Sequence, residues 1–291
     1  MARTRIVVCD SGDVFHPEDV PKTSLGVVTM SPHTEFAVPV RHGSQEGNRI
    51  LTQGSLPNIA FAGLTAAGKT THAKRLAAEL GYQYISATEL LLEILGIDDP
   101  SERVWRTRLA ETNSARSDGT VDTLLEERLL AIHQASSGTL FDTWALAWIG
   151  SDPLVRVWIE SDLESRVRKC LVSQGERRSS PQQCRTLLEQ KDGFNRRIFR
   201  ERHRFDLFTD RQNYDVVLCN SHLIPDATES AARSGIDTFG PIVRAAVIAV
   251  LAADQCAARA LARTHPQEVQ RINPWASPAV AAGHTNNAIS G

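Results

Sequence analysis

Nine consecutive residues constrain this chain more than any others: Gly63 to Thr71 read Gly-Leu-Thr-Ala-Ala-Gly-Lys-Thr-Thr. They match the pattern G-x-x-x-x-G-K-[ST] in full, and each part answers a need of a bound triphosphate. Gly63 and Gly68 permit a tight turn with backbone N–H groups pointing inward. Ala66, Ala67 and the N-terminus of the following helix extend that cradle through Thr71. Lys69 reaches the outer phosphates, and the Thr70 hydroxyl is placed to ligate Mg²⁺. A chance match in a chain this long is on the order of one per cent. The flanks agree with the motif. Asn58 to Ala62 is a short apolar run suited to a buried strand, and Ala73, Leu76, Ala77 and Leu80 share one helical face. A glycine-rich loop that binds no nucleotide is the competing reading.

Beyond the loop, strand and helix alternate. Strands are expected at Tyr82–Ile85, Thr139–Thr143, Leu154–Ile159 and Tyr214–Cys219, with helical stretches between them. The expected fold is therefore α/β: a P-loop nucleotide-binding fold with a five-stranded, mostly parallel sheet, helices on both faces and an arginine-rich helical lid. Residues 1–57 read as an appendage of short strands and a polar linker, and 58–222 as the core, with the lid over about 173–211. Residues 223–264 read as a helical extension, with an Ala-rich helix from about Pro241 to Arg263, and 265–291 as a frayed tail. The apolar face of that helix packs either on the core or on a second subunit, which makes it a candidate homodimer seam.

Charge and cysteine content exclude some classes. A net charge of −2 gives no bulk attraction to nucleic acid or to a membrane. Five scattered cysteines without C-x-x-C spacing suggest reduced thiols in a cytoplasm. Asp10, Asp13, His16 and Glu18 lack a fixed metal-ligand spacing and read as a solvated loop.

Two further features bear on chemistry. Asp142 ends a buried strand, where a carboxylate beside the phosphate loop can help hold Mg²⁺ or orient the attacking group; a helix cap is the alternative. The segment 173–211 carries Arg177, Arg178, Arg185, Arg196, Arg197, Arg200, Arg202, Arg204 and Arg211, with Lys191. Guanidinium forks stabilise a transferring phosphoryl group, and a closing lid excludes water. Most of these arginines belong to a solvated face; Arg196 and Arg197 are the pair expected to face the site.

Residues 58–222 resemble the cytidylate kinase branch of the nucleoside monophosphate kinases, in its compact archaeal-type form. The likeness rests on the loop helix with Gly81-Tyr-Gln-Tyr-Ile-Ser86, on Leu140 to Ile149 with Val155–Ile159 and Leu163–Arg166, and on Tyr214 to Ser221. The resemblance implies Mg²⁺-ATP as phosphoryl donor and an acceptor pocket between the second and third strands, near Ser86, Glu89, Trp148 and Arg166. The departures matter as much. Thr143-Trp144 stands where the family has Gly-Arg, and Leu92 where it has an arginine. In the lid, the family's acid and arginine pattern becomes Lys191-Asp192 with Asn195 and Ile198. Losing two cationic contacts to a dianionic phosphate costs several kcal/mol, at roughly 1.5–3 kcal/mol each. A tryptophan offers one neutral donor and an apolar face instead. The expectation is an ATP-dependent kinase whose acceptor is not CMP, such as a hydroxylated metabolite or a modified nucleoside. A divergent CMP/dCMP kinase, with Arg103, Arg106 or Arg108 supplying the charge, and a non-catalytic ATP-binding module stay open.

Overall fold

The computed structural model describes residues 56–97, 108–174 and 179–275. All of them belong to the second of two compact units, Glu46–Gly291. The expected strands of the N-terminal appendage, the Asp10–Glu18 cluster, and Arg103, Arg106, Arg177 and Arg178 lie outside the described residues.

The central strand is β1 (Asn58–Gly63), and all six of its residues are buried. A strand covered on both faces reads as a continuous apolar run, which is why the sequence there does not alternate. The phosphate loop follows, then α1 (Lys69–Leu80) and β2 (Gln83–Ser86). Next come α2 (Ala87–Ile94), α3 (Leu109–Ala115) and α4 (Thr120–Ala135), and then β3 (Thr139–Asp142). The short α5 (Leu146–Ile149) leads to β4 (Leu154–Glu160), α6 (Leu163–Val172) and the long α7 (Pro181–His203). The chain then forms β5 (Val216–Cys219), α8 (Glu229–Leu251), α9 (Gln255–Thr264) and β6 (Val269–Ile272). Local chemistry sets several helix starts. The Ser86 side chain caps α2, Asp162 caps α6, and Ser180 with Gln183 forms a capping box before Pro181.

The strands lie in the order β2-β3-β1-β4-β5-β6. All pairs are parallel except β5 with β6. Alternate residues of β1 face opposite sides. Ile59 and Phe61 pack with Ala73, Leu76, Phe239, Val243 and Val247 of α1 and α8. Ala60 and Ala62 pack on the other side with Leu129, Phe141, Trp158, Phe199 and Phe205. The chain reverses direction across the sheet at β1, with β3 on one side and β4 on the other, which opens a crevice at the carboxyl ends of the strands.

Two expectations change. The sheet has six strands, not five, and the sixth comes from residues expected to fray. The outer edge of β5 would leave backbone groups unpaired, and Val269–Ile272 fills it antiparallel, with Val269 buried. The expected single C-terminal helix is two, broken after Leu251, with Asp254 capping α9. The buried apolar residues of α8, among them Phe239, Val243 and Val247, pack on the chain's own sheet. By length and apolar content α8 is the one helix among the described residues that could cross a bilayer; half of its apolar window is buried against this core.

Close approach explains one glycine in α8. A Cβ on Gly235 would lie 2.7 Å from Ile224 Cγ1 and 2.7 Å from the Leu223 carbonyl oxygen. We expect Gly235→Ala to destabilise the fold by about 1–3 kcal/mol, the usual range for overpacking. Denaturant unfolding of the variant beside the parent checks this.

Candidate active site

The phosphate loop is shaped by contacts on both its sides. Gly63 has φ of 154°, and a Cβ there would meet the Ile159 carbonyl oxygen of β4 at 2.6 Å. The first turn of α1 has Gly68 as its N-cap and no side-chain cap, so its N–H groups are not claimed by a capping side chain. The loop is held from behind by a buried carboxylate. Thr65 donates its N–H (3.1 Å) and its hydroxyl (2.6 Å) to Asp192 Oδ1 of α7. Arg166 of α6 pairs with Asp192 Oδ2 and also donates to the Thr65 carbonyl at 3.2 Å.

In front of the loop the Thr70 hydroxyl donates to Asp142 Oδ2 at 2.5 Å, and the Tyr84 hydroxyl reaches the same oxygen at 3.3 Å. Asp142 stands where the register says it should, opposite Phe61 of β1 and Ser86 of β2. Thr70 and Asp142 thus converge two hard oxygen donors at the loop, the donor type that Mg²⁺ takes. The Lys69 ammonium lies 3.4 Å from the Leu64 carbonyl and 5.2 Å from the centre of the Trp144 ring. Burial holds it below the usual lysine range, against the opposite pull of Asp142 and Asp192.

A cavity of about 870 Å³ runs along the crevice. Thr65, Ala66, Gly68, Lys69, Thr70 and Thr71 line its middle. Toward α8 its walls are His72, Lys169, Asn220, Ile224 and Ile236. Toward α2–α4 they are Leu92, Leu109, Leu125, Leu129, Trp144 and Phe199, with Ser86, Glu89, Arg116 and Asp122. Lys74, Lys169 and Lys191 also line the cavity, and burial pushes both Lys169 and Lys191 down to about 7. Lys169 donates to Asn220 Oδ1 at 2.5 Å, and Asn220 in turn donates to the Ala67 carbonyl at 2.9 Å. Burial also takes His72 down to about 4.

The structure brings Lys69, Thr70, Asp142, Ser86, Glu89, Leu92 and Trp144 to one cavity and leaves Trp148, Arg166, Arg196 and Arg197 out of its walls. Trp148 stacks on Phe205 at 3.9 Å between ring centres and donates to the Tyr214 hydroxyl, so it packs, partly buried, against the core. Arg166 sits behind the loop, as described. Arg196 makes a two-pronged pair with Asp206 (2.8 and 2.7 Å) and covers the Phe208 ring. Arg197 lies over Phe194 in an outer cleft between α3 and α7. These two arginines were expected to face the site, but the α7 positions that turn inward are Lys191, Asp192 and Asn195. Gly63 and Ala67 shape the loop without lining the cavity. Arg108 is tied to Glu111 at 2.7 Å and also lies off the cavity. The sequence reading did not single out Arg116. It is buried at the cavity wall, pairs with Asp122 and donates to Asn195 Oδ1 at 3.1 Å. No local motif marks it, since its partners come from α4 and α7.

Comparison with known proteins places this geometry in context. A model of the cytidylate kinase-like family matches residues 58–222. A cytidylate kinase of Natronomonas pharaonis is 24% identical over 184 residues, covering 63% of this chain and 91% of the relative. One from Pyrobaculum aerophilum is 30% identical over 183 residues, covering 62% and 90%. Among solved structures, a shikimate kinase from Bacteroides thetaiotaomicron aligns with a TM-score of 0.37 at 12% identity, covering 64% of this chain and 98% of that one. An uncharacterized protein from Eubacterium ventriosum aligns with a TM-score of 0.41 at 14% identity, covering 64% and 98%.

The Arg196–Asp206 pair gives a prediction separate from the cavity. Hydrogen bonds from Arg196, with smaller help from the Phe208 N–H and Arg200, hold the Asp206 carboxyl down to about 2. A depressed carboxyl stabilises the fold above the ordinary value near 3.8, and that contribution is lost as pH falls from about 4 to about 2. Arg196→Gln should lower stability at pH 7 by about 1 kcal/mol, discounted for a partly exposed pair, and flatten the acid limb of the profile. Phosphoryl transfer should stay within about twofold of the parent, because this side chain does not reach the cavity. Unfolding curves from pH 2 to 7, beside an ADP-release assay, measure both.

Proposed function

The chain belongs to the cytidylate kinase-like family, and on that premise we propose that it transfers the γ-phosphoryl group of Mg²⁺-ATP to a small hydroxylated acceptor that carries no phosphate of its own. The observation that carries the acceptor reading is the pair Leu92 and Trp144. Both line the acceptor half of the cavity, at the positions where the resemblance calls for phosphate-binding arginines. Arg116 does not stand in for them, since Asp122 and Asn195 already engage its guanidinium.

The chain's own residues have distinct tasks in this reading. The loop N–H groups and Lys69 bind the donor's phosphates, and Lys191 brings a second ammonium from the lid helix. Both lysines are desolvated, which strengthens their attraction to phosphate oxygens. Thr70 and Asp142 are the residues that would hold Mg²⁺, which supplies charge neutralisation on the phosphates when bound. Asp142 also orients the acceptor hydroxyl and takes its proton. Trp144 donates its indole N–H to the Gly63 carbonyl and lays its ring beside Lys69, so it fixes the loop and narrows the space beside the transferring group. Closure of α7 over the cavity excludes water and limits hydrolysis.

A divergent CMP/dCMP kinase is the second reading, favoured by the names of the relatives. Two variants separate the cases. Lys69→Ala should abolish transfer, by at least about a hundredfold, with an unchanged circular-dichroism spectrum. Trp144→Arg should raise activity toward CMP and lower activity toward the native acceptor. Full turnover in Lys69→Ala would overturn the catalytic reading. A Trp144→Arg variant that loses a strong parental CMP activity would overturn the acceptor reading.

A further inference from the structure

The end of the cavity nearest α8 is closed by residues outside the family core. The family match stops at residue 222, yet Leu223, Ile224, Ala232, Gly235 and Ile236 all line the cavity. They belong to the turn after β5 and to the opening turns of α8. That turn is held in place from three sides. Asn220, just before it, donates to the Ala67 carbonyl of the phosphate loop at 2.9 Å. Arg168 of α6 donates to the Ile224 carbonyl at 2.7 Å. Gly235 of α8 lies so close to Leu223 and Ile224 that a Cβ has no room. Val172 stands one helical turn after Arg168 and lines the same cavity.

The polar side chains around this end are engaged. Lys169 donates to Ser161 Oγ at 2.8 Å and to Asn220 Oδ1 at 2.5 Å, and Ser173 donates to the Cys170 carbonyl at 2.9 Å. His72 is buried with its ring edge-on to Phe239 of α8. Val172, Leu223, Ala232 and Ile236 are half-buried, so part of each remains open. A mostly apolar wall of this kind suits a flat ring with apolar faces. Transfer chemistry fixes which part of the donor arrives there. The outermost phosphate belongs beside Thr70 and Asp142, where it meets the acceptor. Asp142 ends β3 on one side of β1, while β5 and the turn into α8 lie on the other. The rest of the donor therefore runs along the loop toward α8.

We infer that the C-terminal extension is part of the donor site, with Leu223, Ala232 and Ile236 of the extension and Val172 of α6 holding the donor's nucleoside by apolar contact with its base. The inference rests on the kinase reading above for the direction in which the donor lies. It gives the start of α8 a task that packing on the sheet does not require.

The test uses the full chain and reads binding, so it needs no acceptor. Calorimetry compares Mg²⁺-ATP with Mg²⁺-tripolyphosphate, which has the phosphates without the nucleoside. Ile236→Asn removes apolar contact, and Ala232→Trp fills the space the base would take. Each should weaken ATP by at least about fivefold, the scale of part of one apolar side chain's burial, and leave tripolyphosphate within about twofold of the parent. Photolabelling of the unaltered chain, with ATP carrying an azide on the adenine ring, gives a reading that does not depend on a variant folding. Peptide mass spectrometry should place the label within 172–173 or 223–236. Label found only elsewhere would overturn the inference, as would variants that weaken ATP no more than tripolyphosphate. ADP release with an acceptor panel judges the kinase reading separately: transfer alongside either of those results leaves it standing. A parent chain that binds neither ATP nor tripolyphosphate would overturn both.

Discussion

The Asp192 carboxylate is the contact on which the site depends. Only 1% exposed, it holds the Thr65 N–H and hydroxyl with one oxygen and Arg166 with the other. Three elements meet there: the phosphate loop, α6 and the lid helix α7. A buried pair of this kind does not by itself make a fold more stable than an apolar packing would. Breaking it by removing one partner strands a charge and costs about 3–5 kcal/mol. Its role in this protein is geometric. It ties the loop's conformation to the position of α7, so Lys191 on that helix arrives at the same cavity as Lys69.

Charge is distributed unevenly along the cavity that results. The loop and its neighbours toward α8 carry Lys69 and Lys169, with Lys191 above, all held below the normal lysine range by burial. Such groups gain when a polyphosphate enters, because it restores the interaction that desolvation removed. On the far side, toward α2 and α4, the walls are leucine, phenylalanine and tryptophan with several acids. On the function proposed above, a site built this way favours one anionic partner and disfavours a second, and that asymmetry is the physical basis for proposing different rules for donor and acceptor.

The donor side was legible in the sequence because its determinants are local. Glycine spacing, Lys69 and Thr70 sit in one short motif, and Asp142 is fixed by being the last residue of an apolar run. The lid was legible as a helix but not by its faces. Arg196 turns outward to Asp206 and Arg197 to Phe194, choices made by partners that spacing does not reveal. Arg116 carries no motif, and Asp192 showed only as part of the altered lid pattern; the roles of both come from distant contacts. Trp148 shared with Trp144 the look of a ring-stacking residue, yet Phe205 and Tyr214 claim it for the core. The sixth strand was hidden for another reason: Val-Gln-Arg-Ile has weak alternation, and it is a strand because β5 offers it an edge.

The account's central claim is that donor recognition follows the family while acceptor recognition lacks a phosphate site. The most direct measurement is ADP release by purified protein with Mg²⁺-ATP, comparing CMP, dCMP and UMP with unphosphorylated nucleosides and small alcohols. The account predicts saturable turnover of an unphosphorylated acceptor and no response to CMP. Strong, saturable turnover of CMP would contradict it and make the chain a divergent cytidylate kinase.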